Sequence, residues 1–420
     1  MVRTMKDSGI EWIGEIPENW SILRNKNIFT CSKEVVGKAF ESTQLLSLTT
    51  KGVKEKDIND TSGKVPESYE TYQFVKPNQI VMCLFDLDCS AVFSGISKNY
   101  GMISPAYDIL DCKENKAFSD YYSYWFLFVS ENRKFKSYAK NLRYTLKYNE
   151  FSCLPVVVPP LPEQQKIAGF LDEKCGAIDE IISKTEQSIE EYKKLKQSVI
   201  TKAVTKGIRP NRPMQDSNIE WIGEIPTDWE TRKIFQLFTQ VKNKNAGMVE
   251  NNLLSLSYGK IIKKNIETSF GLLPESFETY NIIEKDDIVL RLTDLQNDHR
   301  SLRVGLCKER GIITSAYVTM RQKDNQYAPY LYYLLHTFDV KKGFYGMGDG
   351  VRQGLNWDEL KHLSLVLPPP DEQKEITDYL DEKCAEIDTL VEKKQQFLAE
   401  MANYKKSLIY EYVTGKKEVA

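Results

Sequence analysis

The stretch DSGIEWIGEIPENW, residues 7–20, recurs as DSNIEWIGEIPTDW at residues 216–229, an offset of 209 residues. Nearly the same offset holds further along the chain. PESYETY, from Pro66, returns as PESFETY 208 residues later, and VVVPPLPEQQKIAGFLDEKCGAID, from Val156, returns as LVLPPPDEQKEITDYLDEKCAEID from Leu365. The chain of 420 residues is therefore one unit written twice.

The two copies agree best at their ends and diverge most in the segments that follow Trp20 and Trp229. Two copies of one enzyme domain would match best at their catalytic residues. A shared framework around divergent segments instead predicts two interchangeable reading modules on a common frame.

Each copy contains short runs rich in β-branched and aromatic residues, which predict strands. In the first copy these runs are LLSLTT, QIVMCLF, SAVFSGI and PAYDIL. An aromatic segment follows, YYSYWFLFVSENRKFKSYA in the first copy and YLYYLLHTFDVKKGFY in the second, with helical spacing. Its rings could stack on exposed bases, but helical periodicity favours a buried core helix. Each copy is therefore predicted to be an α/β domain, and the chain to be α+β.

A long helix is predicted after the double proline of each copy, because apolar residues recur at spacings of four and three over five heptads. Two amphipathic helices, each packed on its own domain, are the alternative. The ladders exceed the roughly 11 to 12 residues of an average helix, which favours a coiled coil. The predicted seam comprises Leu171, Ile178, Ile182, Ile189, Tyr192, Val199, Leu380, Ile387, Val391, Leu398, Met401 and Leu408.

Charge and composition exclude several classes of protein. Residues 21–152 hold 18 basic and 15 acidic residues, a net of +3, and residues 230–361 hold 19 and 16, again +3. Residues 371–417 hold 8 basic and 11 acidic residues, a net of −3, so the acidity lies in the second long helix, which with the first forms the two arms of the chain. No apolar run reaches the roughly 18 residues of a membrane span, and we expect a cytoplasmic protein. Eight cysteines without a CxxC pair predict neither a zinc site nor a disulfide framework.

Catalytic motifs are not found. The sequence has no GxxxxGK[ST] loop and no GxGxxG fingerprint, and all three histidines lie in the second copy. Asp371, Asp381 and Lys383 resemble a metal-dependent nuclease pattern, but ten residues along one helix leave the two acids about 80° apart at 100° per residue. We therefore predict no catalytic residue and no metal site in this chain.

The repeated IGEIPxxW opening and the PPLPEQQKIAGFLD and PPPDEQKEITDYLD junctions resemble the specificity subunits of type I restriction-modification systems. This resemblance implies two target recognition domains, residues 1–161 and 209–369, each followed by a helix of an antiparallel coiled coil, residues 162–208 and 370–420. It also implies a bipartite, asymmetric double-stranded DNA target. The implied partners are two methyltransferase subunits that modify adenine and, through them, endonuclease subunits, with S-adenosylmethionine, ATP and Mg²⁺ bound by those partners.

Base and phosphate contacts require long donors and amides. The DNA-binding candidates are Lys51, Lys54, Lys98, Arg143, Tyr144 and Lys147 in the first copy, and Lys260, Lys263, Lys264, Arg291, Arg300, Arg303, Arg352 and Gln353 in the second. A purely structural coiled-coil connector and a stand-alone nuclease remain the alternative functions. Binding to a bipartite duplex would exclude the first, and metal-dependent cutting by the isolated chain would support the second.

Overall fold

The two repeats fold into the same succession of strands and helices in the computed structural model of the chain. The residues that it describes are 3–50, 52–60, 66–88, 93–139, 144–265, 276–295, 302–323, 327–347 and 354–419. None of the helices in these ranges is long and apolar enough to cross a membrane.

The first repeat contains twelve short strands and four helices among its described residues. The strands are β1 (Met5–Asp7), β2 (Glu15–Pro17), β3 (Ser21–Arg24), β4 (Phe29–Ser32), β5 (Leu46–Thr49), β6 (Gly52–Glu55), β7 (Gln73–Val75), β8 (Ile80–Met82), β9 (Ser94–Ile96), β10 (Gly101–Ile103), β11 (Asp108–Cys112) and β12 (Pro155–Val158). The helices are α1 (Asn25–Ile28), α2 (Ser119–Glu131), α3 (Tyr148–Phe151) and α4 (Leu161–Lys206).

The second repeat has the same number of strands and helices within the described ranges. The strands are β13 (Met214–Asp216), β14 (Glu224–Pro226), β15 (Glu230–Lys233), β16 (Phe238–Gln240), β17 (Leu254–Ser257), β18 (Lys260–Lys263), β19 (Asn281–Ile283), β20 (Ile288–Leu290), β21 (Val304–Leu306), β22 (Gly311–Ile313), β23 (Val318–Gln322) and β24 (Ser364–Leu367). The helices are α5 (Ile234–Leu237), α6 (Ala328–Val340), α7 (Trp357–Leu360) and α8 (Pro370–Val413).

The strand pairing is the same in both repeats. Each repeat has one four-stranded antiparallel sheet, in the order β4-β11-β8-β9 in the first and β16-β23-β20-β21 in the second. Four two-stranded ribbons accompany each sheet, among them the hairpins β5-β6 and β17-β18. The predicted mixture of strands and helices is therefore confirmed.

By compactness the described chain divides into two units: a first unit of Met1–Thr185 with Gln395–Ala420, and a second unit of Glu186–Lys394. Both divisions fall inside the long helices α4 and α8, so each unit holds one end of each helix. Our predicted succession of recognition domains and arms describes the order along the chain, and its boundaries stay a prediction.

The aromatic helix is buried, as its spacing predicts. In α2, Tyr121, Tyr122 and Phe126 are fully buried and Trp125 is 1% exposed. The Tyr121 hydroxyl donates to the carbonyl of Val413 at 2.8 Å, so the end of α8 completes the core of the first unit. In the second unit the Tyr330 hydroxyl donates to the carbonyl of Val204 at 3.0 Å, where the end of α4 takes the same place.

The Glu-Gln pair at the start of each long helix ties the two repeated motifs together. In the first unit, Glu163 accepts from the Trp20 indole at 2.9 Å and from Arg3. The next residue, Gln164, is fully buried, accepts from the backbone N–H of Phe118 at 2.8 Å and donates to two carbonyls. The opening motif and the junction recur together in the sequence because they contact each other in the fold.

The long helices run antiparallel within each unit. In the first unit, Lys405 binds Asp179 at 2.6 Å, and the ring centroids of Tyr412 and Phe170 are 4.5 Å apart. Residue numbers therefore decrease along α8 in the direction in which they increase along α4. In the second unit Lys196 binds Asp388 at 2.6 Å. The predicted antiparallel coiled coil is therefore confirmed.

The predicted seam residues are more buried than most of their neighbours on the coil. They are all buried or half-buried, whereas most positions between them are exposed. Lys196 and Lys405 lie one heptad after the seam residues Ile189 and Leu398, so they continue the seam. Their ammonium groups are paired across the coil, which explains how lysines are accommodated there.

Candidate DNA interface

The segment that begins at Arg291, one of the second copy's candidates, is organised around Arg303. Its side chain is fully buried, and its guanidinium donates to the carbonyls of Arg291 at 3.2 Å, Thr293 at 2.9 Å and Asp294 at 3.3 Å. The Arg303 Cζ lies 5.1 Å from the centroid of the Tyr345 ring. Three carbonyls held by one planar cation fix the backbone of this segment.

Burial of Arg303 corrects its assignment as a DNA contact. A side chain with no exposed surface offers no donor to a phosphate or to a base edge. Charge alone suggested a surface position, because lysine and arginine are almost never fully buried unless paired. Here the paired groups are backbone carbonyls, which the sequence does not reveal. We reassign Arg303 as a positioning residue.

Three segments of the second unit meet at this end of the domain. The N–H of Leu355 donates to the carbonyl of Leu292 at 2.9 Å. The turn of the β17-β18 hairpin packs on Leu302, since a Cβ added at Gly259 would lie 3.1 Å from the Leu302 Cβ. Three of the candidates, Arg300, Arg352 and Gln353, lie outside the described residues. Their role stays a prediction.

The first unit repeats this arrangement. The N–H of Leu146 donates to the carbonyl of Leu84 at 2.7 Å, and the N–H of Leu87 donates to the carbonyl of Tyr144 at 3.2 Å. The Tyr144 ring lies 4.4 Å from the ammonium group of Lys136, which places a cation and an aromatic face beside these segment ends. Lys51 and Arg143 lie outside the described residues.

The other candidates do not gather at one place. Lys260 is exposed and directly follows the hairpin turn, whereas Lys263 and Lys264 lie at the open end of the hairpin, where Lys263 pairs with Glu309 at 2.7 Å. The remaining candidates of the first unit are all exposed lysines, in the β5-β6 hairpin, in the turn before β10 and at the start of α3. They are Lys54, Lys98 and Lys147.

Sequence reasoning missed Tyr258, which occupies the turn of the β17-β18 hairpin and is 72% exposed. A two-residue Tyr-Gly connection between alternating runs is a hairpin signal, although asparagine or aspartate before the glycine is far more usual. That signal could have identified the position.

The described residues hold no group of acids, histidines and cysteines arranged to bind a metal ion. Asp381 accepts from the Tyr333 hydroxyl at 2.6 Å, and Lys383 pairs with Glu386 at 2.8 Å. Asp381 and Lys383 of the nuclease-like pattern are thus paired with neighbouring protein side chains.

His336 on α6 is a buried histidine of the second unit. Its ring stacks on Tyr332, with centroids 5.7 Å apart, and burial followed by the charge of Lys196 lowers its pKa from 6.5 to about 4. The neutral imidazole is therefore the native form at neutral pH. The equivalent residue of the first unit is Leu127, which indicates a packing role for this position.

We expect His336→Leu to make the second unit more resistant to acid. The folded pKa is depressed, so the unfolded chain takes up the proton first and stability is lost as the pH falls from 6.5 towards 4. Replacing the imidazole should therefore raise the free energy of unfolding at pH 5 by about 2 kcal/mol more than at pH 8. Urea unfolding at the two pH values measures this difference. An equal effect of the substitution at both pH values would contradict the assignment.

Comparison with known proteins shows which class of protein the chain is similar to. Residues 226–399 match the family model described as the type I restriction modification DNA specificity domain. The type I restriction enzyme MjaVIII specificity subunit of Methanocaldococcus jannaschii is 25% identical, and the match covers 96% of this chain and 94% of that protein.

Two solved structures share the fold. A chain from a structure of complex assembly and conformational transition of the type I R-M system matches with a TM-score of 0.67 and 12% identity, over 96% of this chain and 99% of that chain. The HsdS subunit from Thermoanaerobacter tengcongensis matches with a TM-score of 0.51 and 12% identity, over 96% and 98%.

Residues 226–399 are therefore similar to a DNA specificity domain, and most of the chain is similar to a specificity subunit. The predicted resemblance to the specificity subunits of type I restriction-modification systems is confirmed by these matches.

Proposed function

We propose that the chain reads an asymmetric, bipartite double-stranded DNA target and holds two methyltransferase subunits, through which endonuclease subunits join. The observation that carries the proposal is that the two units share one fold but differ in the side chains near their DNA-binding candidates. Position 303 of the second unit is a buried arginine, whereas its equivalent in the first unit is Phe93, which packs on Phe135 at 5.3 Å. S-adenosylmethionine, ATP and Mg²⁺ belong to the partners in this proposal.

The two units carry different side chains at equivalent turns of the same fold, which supports two different half-sites. The residue that opens the hairpin turn is Thr50 in the first unit and Tyr258 in the second. Direct readout depends on which donors and rings a loop presents to base edges. Two modules with different side chains at equivalent places should therefore select different bases.

The coiled coil carries exposed apolar side chains that support the scaffolding role. Ile181 and Leu195 of α4 and Leu390 and Tyr404 of α8 are between 41% and 54% exposed, and all of them directly precede a seam residue. Such positions flank the seam of a coiled coil. Exposed apolar surface next to a seam is typical of a site where further helices pack.

These four residues form one pair in each unit. Ile181 and Tyr404 lie in the first unit, and Leu195 and Leu390 lie in the second. The 209-residue offset converts Ile181 into Leu390 and Leu195 into Tyr404, so the two pairs are equivalent by the repeat. A surface present once in each unit favours two copies of the same partner per chain.

The DNA-reading function is tested by sequencing methylated adenines in the host genome with and without this gene. We expect two short unlike sequences at a constant spacing, methylated only when the gene is present. Adenine methylation that is unchanged by deletion of the gene would refute the proposal.

We expect the double substitution Ile181→Glu with Tyr404→Glu to reduce the complex from two methyltransferase subunits to one. The double substitution Leu195→Glu with Leu390→Glu should remove the other copy. A carboxylate buried without a partner costs several kcal/mol, which is a loss in affinity of more than 100-fold. Native mass spectrometry of the assembled complexes measures the stoichiometry directly.

The matched control places the same charge on the side of the coil opposite the seam, at Gln187→Glu and Gln396→Glu, two exposed positions. This control should retain both partner copies. Retention of two copies by both double variants would show that the partners bind elsewhere.

A further inference from the structure

We propose that Tyr258 stacks on a DNA base in the half-site of the second unit and thereby sets the preference at one base step. This inference rests on the proposed DNA-reading function and deepens it. The residue was not among the candidates that charge and amide chemistry suggested.

The backbone at Tyr258 indicates selection for something other than folding. Ser257 pairs with Lys260, so the hairpin turn has two central residues, Tyr258 with φ of 45° and Gly259 with φ of 77°. Turns with two positive φ values favour asparagine or aspartate followed by glycine. A tyrosine has no short polar side chain to stabilise the left-handed conformation, so it destabilises the turn.

Packing does not compensate for this strain within the chain. The Tyr258 side chain is 72% exposed, and no described residue makes a hydrogen bond or a ring contact with it. A residue that costs stability through its backbone and gains none through its ring is the pattern found at functional sites. The ring is therefore available to a ligand.

The turn is held firmly on its other side. The carbonyl of Gly259 accepts from the Tyr332 hydroxyl at 3.4 Å, and Leu302 fills the space beside the Gly259 Cα. These contacts fix the direction of the turn, so the exposed ring is presented from a rigid support. A rigid aromatic ring loses little conformational entropy on binding.

The surroundings indicate duplex DNA as the ligand. Lys260 is exposed and directly follows the turn, where its ammonium group suits a phosphate. The turn also packs on Leu302, next to Arg303, whose guanidinium holds the carbonyl of the candidate Arg291. Aromatic rings stack on bases and favour base steps that unstack easily. The first unit has Thr50 in the equivalent turn, so the stacking contact belongs to one half-site only.

The experiment replaces Tyr258 in the full chain assembled with its methyltransferase partners. The probe is a duplex that carries the target methylated by the wild type in the host genome. We expect Tyr258→Asn to raise the melting temperature by about 2 °C, because asparagine suits the turn. The same variant should bind the probe about 10-fold more weakly and relax the sequence preference at one position of a single half-site. Tyr258→Phe should keep wild-type recognition.

Tyr100→Asn is the matched control, because Tyr100 is 53% exposed but its ring stacks on Phe74 at 5.5 Å. This control should leave recognition unchanged. Wild-type recognition by Tyr258→Asn would overturn the inference, and so would an equal loss in Tyr258→Phe, since the hydroxyl and not the ring would then be required. If the wild-type complex methylates no bipartite target, the proposed function fails and the inference fails with it. If the wild type methylates such a target and Tyr258→Asn recognises it equally well, the inference alone fails.

Discussion

Replacing Glu372 with alanine is expected to lower the free energy of unfolding of the second unit by about 3 kcal/mol. The Glu372 side chain is 1% exposed and accepts from the Trp229 indole at 3.2 Å and from both terminal nitrogens of Arg212. It also lies in the first turn of α8, where a negative charge favours the helix dipole. Alanine would leave the indole and the mostly buried guanidinium without this acceptor.

Calorimetry of the full chain measures the effect, with a drop of roughly 6 to 12 °C for the second unit. Glu163→Ala is the matched variant in the first unit and should cost less, because Glu163 is 18% and Arg3 20% exposed, so water can replace part of the lost contact. Glu372→Gln keeps an acceptor oxygen and should fall between alanine and the wild type. A larger loss from Glu163→Ala would contradict the view that burial determines the strength of this contact.

The repeat, the aromatic helix and the arms could be predicted from the sequence because each is a periodic or local pattern. Tyr121 and Trp125 are four residues apart, so they lie on the same face of α2, and the heptad spacing of α4 requires only the order of residues along one helix. Antiparallel pairing followed from the family resemblance, and the contact of Lys405 with Asp179 bears it out.

The candidate DNA interface could be predicted only in part, because its geometry depends on contacts between segments that are distant in the sequence. Arg303 and Arg310 are both arginines of the second unit, yet one is buried under backbone carbonyls and the other is 54% exposed and pairs with Glu250. Charge does not distinguish them. Tyr258 was missed for a related reason, since its strain is a property of a turn that exists only once β17 and β18 pair.

We expect Arg303→Phe to reduce methylation of the target about 100-fold, the scale of loss when a group is displaced by about 1 Å. The reason is positional, since the guanidinium fixes the carbonyls of Thr293, Asp294 and the DNA-binding candidate Arg291. Phenylalanine is the residue that the first unit carries at this position, as Phe93, so the core stays filled. Three carbonyls lose their donor, which should cost about 2 kcal/mol of stability.

A positioning role predicts more than a loss of stability. Hydrogen exchange of the amides of residues 291–295 should accelerate, and the methylome should show relaxed preference in one half-site while the other keeps its sequence. Arg310→Ala is the control, because it removes surface ion pairs with Glu250 and Glu284 and should change neither readout. If Arg303→Phe lowered stability but left both half-sites as selective as before, the guanidinium would support the core alone. The loop ends would then be ordered by the hydrogen bond from Leu355 to Leu292 and by the packing of Leu302 on the hairpin turn.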